Sequence, residues 1–203
     1  MPTIPTSPMI IRKLLLAFLL CTSSGCASLS GTYQVARIST RLGDLYVWLY
    51  EEVPVHREYF INLTNSRYFD DFSFNRVIEG FVAQGGCPDT PEGFAYSIHL
   101  LQPEFRPQLR HAYGTFAAGR DNNPGKLSAG CQFYVVHAAN GIARLDDNYT
   151  IYGFVFSGME VVDKIVAVET DESDEPLEII NLDIDIINMT PAEIEASGFR
   201  IPE

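Results

Sequence analysis

Between Tyr33 and Met189 the apolar side chains fall mostly at strand spacing, in short runs separated by turn formers, and this limits the fold more than any other feature of the chain. "YQVARISTRLGDLYVWLY" reads as two strands joined at "RLGD", with Leu45, Val47 and Leu49 on one face and Tyr46 and Trp48 on the other. "YFDDFSF" reads as a turn into a strand over 74–77, "GTFAAG", "CQFYVVH" and "TIYGFVFSG" read as further strands, and "LEIINLDIDIINM" ends in alternation, with Leu182, Ile184 and Ile186 inward and Asp183 and Asp185 outward. Helical spacing is confined to "VHREYFINLTNS", which Pro54 can start, and "MEVVDKIVAV". Thr190 and Glu193 around Pro191 form a capping-box pattern and predict a short last helix ending near Gly198. The segment 87–114 reads as long loops with one short strand. The tally is roughly seven or eight strands and two main helices with no βαβ rhythm, which predicts a closed barrel or a sandwich with helices packed at its ends.

The length of 203 residues suits one domain, and 46% hydrophobic residues argue against a disordered chain. A net charge of -12 disfavours nucleic-acid partners, whose phosphates call for Lys and Arg. The front of the chain reads as an export leader: Arg12 and Lys13, the apolar run "LLLAFLL", then the small residues of "CTSSGCASLS". That run is too short to span a bilayer, which takes about 20 apolar residues. Two maturation routes are open. Cleavage before Cys26 leaves a cysteine for lipidation and a membrane tether, although Ser23 stands where such a lipoprotein box usually carries an aliphatic residue. Cleavage after Ala27 gives simple secretion. A cytoplasmic protein with a fortuitously apolar start is the third alternative. The predicted organisation is a leader over 1–27, a domain over 32–189 and an extension over 190–203, in an exported, cell-envelope or periplasmic protein that acts as a monomer. Of the four cysteines, Cys87 and Cys131 lie in the body; they form a disulfide or remain two thiols that never meet, and spacing alone does not decide.

Most common chemistries find no foothold. There is no G-x-S-x-G elbow, no H-E-x-x-H, no glycine-rich phosphate loop and no C-x-x-C pair, and His56, His99, His111 and His137 are scattered. The acidic run at 171–175 reads as a solvated loop. What remains is "FSFNRVIEGFVAQGG", where one cation, Arg76, and one amide, Gln84, sit among apolar side chains. In a regular strand Arg76 shares a face with Phe74. Phe81 follows the "EG" turn, and Gln84 precedes two glycines that allow close backbone approach.

These residues carry a resemblance. "YFDDFSFNRVIEGFVAQGG" resembles the signature of the cyclophilin peptidyl-prolyl isomerases, and "GTFAAGRDNNPGKLSAGCQFYVV", "RLDDNYTIYGFV" and "GMEVVDKI" resemble the family's later segments in the same order. The resemblance covers residues 32–189. It implies a closed eight-stranded antiparallel barrel capped by two helices, acceleration of X–Pro rotation in client polypeptides, and no metal or organic cofactor. It places the catalytic arginine at Arg76 and the substrate-anchoring glutamine at Gln84. Substrate-binding positions fall on Phe81, Val82, Gly119, Arg120, Gln132, Tyr134, Leu145 and Tyr149.

The departures from the family pattern are specific. Asn75 stands for a histidine, Val82 for a methionine, Gly119 and Arg120 for an alanine–asparagine pair, Tyr134 for a phenylalanine and Tyr149 for a histidine. Arg144 stands for a tryptophan, which implies weak cyclosporin binding rather than lost catalysis. Tyr134 brings a hydroxyl that needs a partner. For Gln132, peptide contact and support of the strand end are equally open. A bond between Cys87 and Cys131 would tie two strands of the site together. The rival readings are a proline-peptide binding module that barely speeds isomerisation and a structural envelope protein with a vestigial pocket.

Overall fold

The computed structural model describes residues 31–90, 93–94 and 97–202; the leader and Cys26 lie outside them. The chain order is β1 (Tyr33–Thr40), β2 (Gly43–Leu49), α1 (Pro54–Asn65), β3 (Ser73–Ile78), β4 (Val82–Gly86), β5 (Leu100–Leu101), β6 (Thr115–Ala118), β7 (Ser128–Ala129), β8 (Gln132–Val136), β9 (Ile151–Ser157), α2 (Met159–Val166), β10 (Ile180–Asn181), β11 (Asp183–Met189) and α3 (Pro191–Glu195). One nine-stranded sheet runs in the order β10-β3-β4-β8-β6-β9-β2-β1-β11, and β5 pairs with β7 apart from it.

The expected closed eight-stranded barrel with two helices is not what forms. Among the described residues there are nine strands in the main sheet and three α-helices, and the sheet is an open half-barrel with β10 and β11 as its edges. The segment "LEIINLDIDIINM", whose end shows the alternation, is divided between the two edges. Ile180–Asn181 pair with β3 at one edge, and Asp183–Met189 pair with β1 at the other. Leu182 alone links the two edge pieces, and no ladder joins β10 to β11 among the described residues.

The pleat sorts side chains between two faces. On β8, Phe133 and Val135 enter the main core, whereas Tyr134 and Val136 join a second apolar cluster with Val82, Ala117, Leu145 and Ile151. Phe133 is the hub of the main core: the rings of Phe60, Phe69, Phe74 and Phe116 lie 4.9 to 6.1 Å from its own. Truncating such a ring costs roughly 3–5 kcal/mol. Helix α1 has no side-chain cap of its own. Glu104, from the long loop, accepts from the free backbone N–H groups of Val55 and His56 at 3.2 and 2.9 Å, and its charge suits the helix N-terminus. The loop of 87–114 is thereby tied to the helix. Thr190 and Glu193 form the capping box of α3, as their spacing predicts.

Candidate active site

The site is one cross-strand row. Arg76 on β3 lies opposite Gln84 on β4, Gln84 lies opposite Tyr134 on β8, and Tyr134 lies opposite Ala117 on β6. Directly opposed residues of an antiparallel sheet share a face, so the row brings a cation, an amide and a phenol to one surface. The pleat alone would not put Arg76 there. Phe74 pairs with Gly85 and Arg76 with Gln84, so Asn75 is the extra residue of a β-bulge. The bulge sends Phe74 into the core and Arg76 to the opposite face, which corrects the shared face that regular alternation assigns to them. Asn75 pins the bulge by donating from Nδ2 to the Gly86 carbonyl at 2.7 Å.

A cleft of about 150 Å³ stands on this row, lined by Arg76, Phe81, Val82, Gln84, Asp89, Gly119, Arg120, Gln132, Tyr134, Arg144, Leu145 and Tyr149. The structure thus brings all ten candidate residues together and adds Asp89 and Arg144. Phe81 is placed by the turn after β3, where Gly80 takes a φ of 72° and Phe81 N–H donates to the Ile78 carbonyl at 3.0 Å. Leu145 and Tyr149 come from a single turn in which Tyr149 N–H donates to the Leu145 carbonyl at 3.1 Å. The Tyr149 ring stands edge-on to that of Tyr134, with centroids 6.0 Å apart. Val82, Leu145 and Tyr134 are buried, and Phe81 is half-buried. One side of the cleft is therefore an apolar wall.

The polar groups are individually held. Arg76 Nε lies 3.6 Å from Asp174 Oδ2, and the Asp174 carbonyl accepts from Val77 N–H at 2.9 Å, so the acidic loop is docked on the edge of the site. Its reading as plain solvated loop omits that contact. Gln132 spends both amide hydrogens internally, on the Cys87 carbonyl at 2.9 Å and Asp89 Oδ1 at 3.0 Å, which supports the strand end, and its Oε1 lies against Gly119. A Cβ on Gly119 would collide with that Oε1, which accounts for glycine at this position. Cys87 and Cys131 are joined in a disulfide with a Cα–Cα distance of 5.4 Å, so the two thiols that spacing left undecided do meet.

Tyr134 finds its partner in His111. The phenol lies 2.9 Å from Nε2, and Nδ1 of the same ring lies 2.8 Å from Asp146 Oδ1. Desolvation lowers the His111 pKa against the opposing pull of Asp146, and desolvation raises that of Tyr134 well above the ordinary phenol value. A neutral imidazole then donates from Nδ1 to Asp146 and accepts from Tyr134 at Nε2. Positions 111, 134 and 146 are too far apart in sequence for any motif to show this relay. Arg120 and Arg144 stack on rings of the cleft: the Arg120 guanidinium lies 4.8 Å from the Tyr149 centroid and that of Arg144 5.1 Å from the Phe81 centroid. No group of three or more His, Cys, Asp or Glu placed to hold a metal occurs among the described residues.

Residues 35–185 match the family described as cyclophilin type peptidyl-prolyl cis-trans isomerase/CLD. One peptidyl-prolyl cis-trans isomerase of Arabidopsis thaliana is 36% identical over 154 residues, which span 74% of this chain but only 23% of that longer protein. A second from the same plant is 34% identical over 158 residues, covering 76% of this chain and 96% of its own. One from Acinetobacter baylyi is 30% identical over 76% of this chain and 87% of its own. A solved structure of a cyclophilin-type peptidyl-prolyl cis-trans isomerase of Cryptosporidium parvum, in the presence of the dipeptide Ala-Pro, superposes with a TM-score of 0.67 at 26% identity, covering 76% of this chain and 99% of that one.

Proposed function

The chain belongs to the cyclophilin-type peptidyl-prolyl cis-trans isomerases, and on that premise we propose that it speeds rotation about X–Pro bonds in flexible or folding polypeptides, using the Arg76–Gln84–Tyr134 row. The amide resists rotation by about 20 kcal/mol through C–N double-bond character. Twisting it ends conjugation and localises a lone pair on the proline nitrogen. A guanidinium that donates to that nitrogen stabilises the twisted state more than either planar state, which is the condition for catalysis.

Arg76 is the cation of the row. Phe81, Val82, Tyr134, Leu145 and Tyr149 form the surface that takes the proline ring. The side chain of Gln84 makes no hydrogen bond among the described residues and lines the cleft, so its amide is free to hold the carbonyl side. The Arg120 backbone and the Gln132 side chain, which line the cleft, are assigned to the flanking peptide; the Gly119 N–H and carbonyl are already bonded to the Gln132 carbonyl and the Ala129 N–H, so Gly119 serves by leaving room. No bond is made or broken, and nothing in this scheme calls for a general base. The observation that carries the reading is the register that puts Arg76, Gln84 and Tyr134 opposite one another beneath one apolar wall. The test is a proline-isomerisation assay with the protein and its Arg76→Ala variant. Turnover should fall by at least tenfold while peptide binding persists; equal turnover would dismiss the mechanism.

A second reading, a proline-peptide binding module, draws on the contact of Asp174 with Arg76, which offsets part of the charge that catalysis needs. The same assay separates the two. Export is also part of the proposal and is supported by residues 1–27 alone: Arg12 and Lys13, the run 14–20 and the small-residue exit. An oxidising compartment would suit the Cys87–Cys131 disulfide. Attachment through a lipidated Cys26 is the finer form of the same idea, and mass spectrometry of the mature N-terminus decides it. No helix of the described residues is long and apolar enough to cross a membrane.

A further inference from the structure

The cleft holds more positive charge than proline recognition requires. Arg76, Arg120 and Arg144 all line it, in a chain that carries 14 Lys and Arg against 26 Asp and Glu. From this local excess we propose that the site selects proline segments with acidic side chains next to the proline. The inference rests on the isomerase reading above and names a client chemistry which that reading leaves open.

Arg120 is built in rather than waving in solvent. Its guanidinium donates to the Asn148 carbonyl at 2.9 Å, Asn148 Oδ1 at 2.7 Å, the Asp121 carbonyl at 2.8 Å and the Asn123 carbonyl at 3.3 Å. All four acceptors are neutral oxygens, so they fix the group without cancelling its charge. The Asp121 carboxylate is turned to other donors, Asn123 Nδ2 at 2.8 Å and Phe94 N–H at 2.9 Å. Arg144 is exposed and stacks on Phe81. The neighbouring ion pairs among the described residues are made by other arginines, Arg76 with Asp174 and Arg110 with Asp146.

The two stacked guanidiniums therefore flank the rings that take the proline, Tyr149 under one and Phe81 under the other. An extended peptide advances about 3.3 Å per residue, so a carboxylate one or two residues from the proline comes within reach of either. The attraction is one of charge, which a carboxylate feels and a neutral amide or an ammonium on the client does not; Arg120 has four of its five N–H groups engaged and acts through its charge and its one remaining donor. The opposing charges lie elsewhere in the cleft. Asp89 accepts from Gln132, and Asp174 stands beside Arg76. At the arginine end the carboxylates of Asp121 and Asp146 are engaged by Asn123 and Phe94 and by His111, respectively.

The experiment compares three peptides that share Ala–Pro and differ only in carrying Glu, Gln or Lys two residues before and one residue after the proline. Each is assayed in about 0.01 M and about 1 M salt, where charges act over roughly 30 Å and 3 Å. At low salt the Glu peptide should exceed the Lys peptide about tenfold in kcat/KM, as expected of two partly exposed pairs, with the difference in KM. High salt should close the gap. Arg144→Gln should shrink the Glu-to-Lys ratio, and Arg144→Lys should largely restore it. Equal rates for the three peptides overturn the selectivity and leave the isomerase reading standing. A ratio unmoved by Arg144→Gln overturns the assignment to Arg144. Failure to turn over any of the peptides overturns the isomerase reading and this inference with it.

Discussion

The phenol of Tyr134 donates to Nε2 of His111 at 2.9 Å, and so connects the floor of the cleft to a buried imidazole that Asp146 holds from its other side. Asp146 directly follows Leu145, so the relay also fixes the turn that brings Leu145 and Tyr149 to the site. Tyr134→Phe keeps the ring and removes the donor. The buried Nε2 is then left without a partner, at an expected cost of about 1–3 kcal/mol in stability. Urea unfolding with an unchanged slope measures this, and an unaltered midpoint would mean that the bond contributes nothing.

The same burial makes stability depend on pH. Desolvation lowers the pKa values of His111 and His56, outweighing the pull of Asp146 on one and Glu104 on the other. Each histidine binds a proton more readily in the unfolded chain than in the folded one. Their contribution is therefore complete above the unfolded value of about 6.5 and is lost as pH falls through the folded values. The slope is at most about 1.4 kcal/mol per pH unit for each proton. Glu104 and Asp146, whose pKa values are also lowered, act only at lower pH. Thermal unfolding from pH 8 to pH 5 should show the decline, and His111→Gln should show a shallower one. A flat profile would contradict the neutral, buried assignment of both rings.

Much of this was legible because each strand signals itself locally. The alternation of 45–49, the turn at "RLGD" and the capping box at Thr190 and Glu193 depend on neighbours in sequence, and each appears in the fold. Three features depend on distant partners and could not be read. The bulge at Asn75 is set by a bond to Gly86, eleven residues away, and it reverses the face of Arg76 relative to Phe74. The division of "LEIINLDIDIINM" between two edges is set by β3 and β1, not by its own alternation, so neither the strand tally nor the resemblance, which point to a closed barrel, reveals it. Asp89 gave no signal at all, since a lone carboxylate after Cys-Pro is ordinary loop chemistry until Gln132 is found against it.

The Cys87–Cys131 disulfide closes a long loop, and both ends adjoin the site. The separation is 44 residues, for which loop-closure entropy gives about 4 kcal/mol of stabilisation as an upper figure. A Cys87→Ser, Cys131→Ser double variant should lose about 2–4 kcal/mol, measured by urea unfolding. Because the Cys87 carbonyl accepts from Gln132 at 2.9 Å, the variant should also bind proline peptides less tightly. Reduction of the unaltered protein should reproduce both effects; if it reproduces neither, the bond is not what holds this strand end.

Asp174 is the group that most directly opposes the proposed role of Arg76. The pair is 3.6 Å apart and both side chains are more than a third exposed, at 36% and 45%, so its own contribution to stability is about 0–1 kcal/mol. Its effect on chemistry can be larger, because the carboxylate competes with the proline nitrogen for the same guanidinium. Asp174→Asn removes the charge and keeps the backbone. The position has a φ of 64°, which asparagine tolerates well, and the carbonyl that accepts from Val77 N–H is untouched. Catalysis by the Arg76 charge therefore predicts a rise of about two- to fivefold in kcat/KM, the equivalent of roughly 0.4–1 kcal/mol less competition. The rise should be larger at low salt than at high salt. A fall instead would mean that Asp174 acts by aiming Arg76, and that orientation outweighs the charge it offsets.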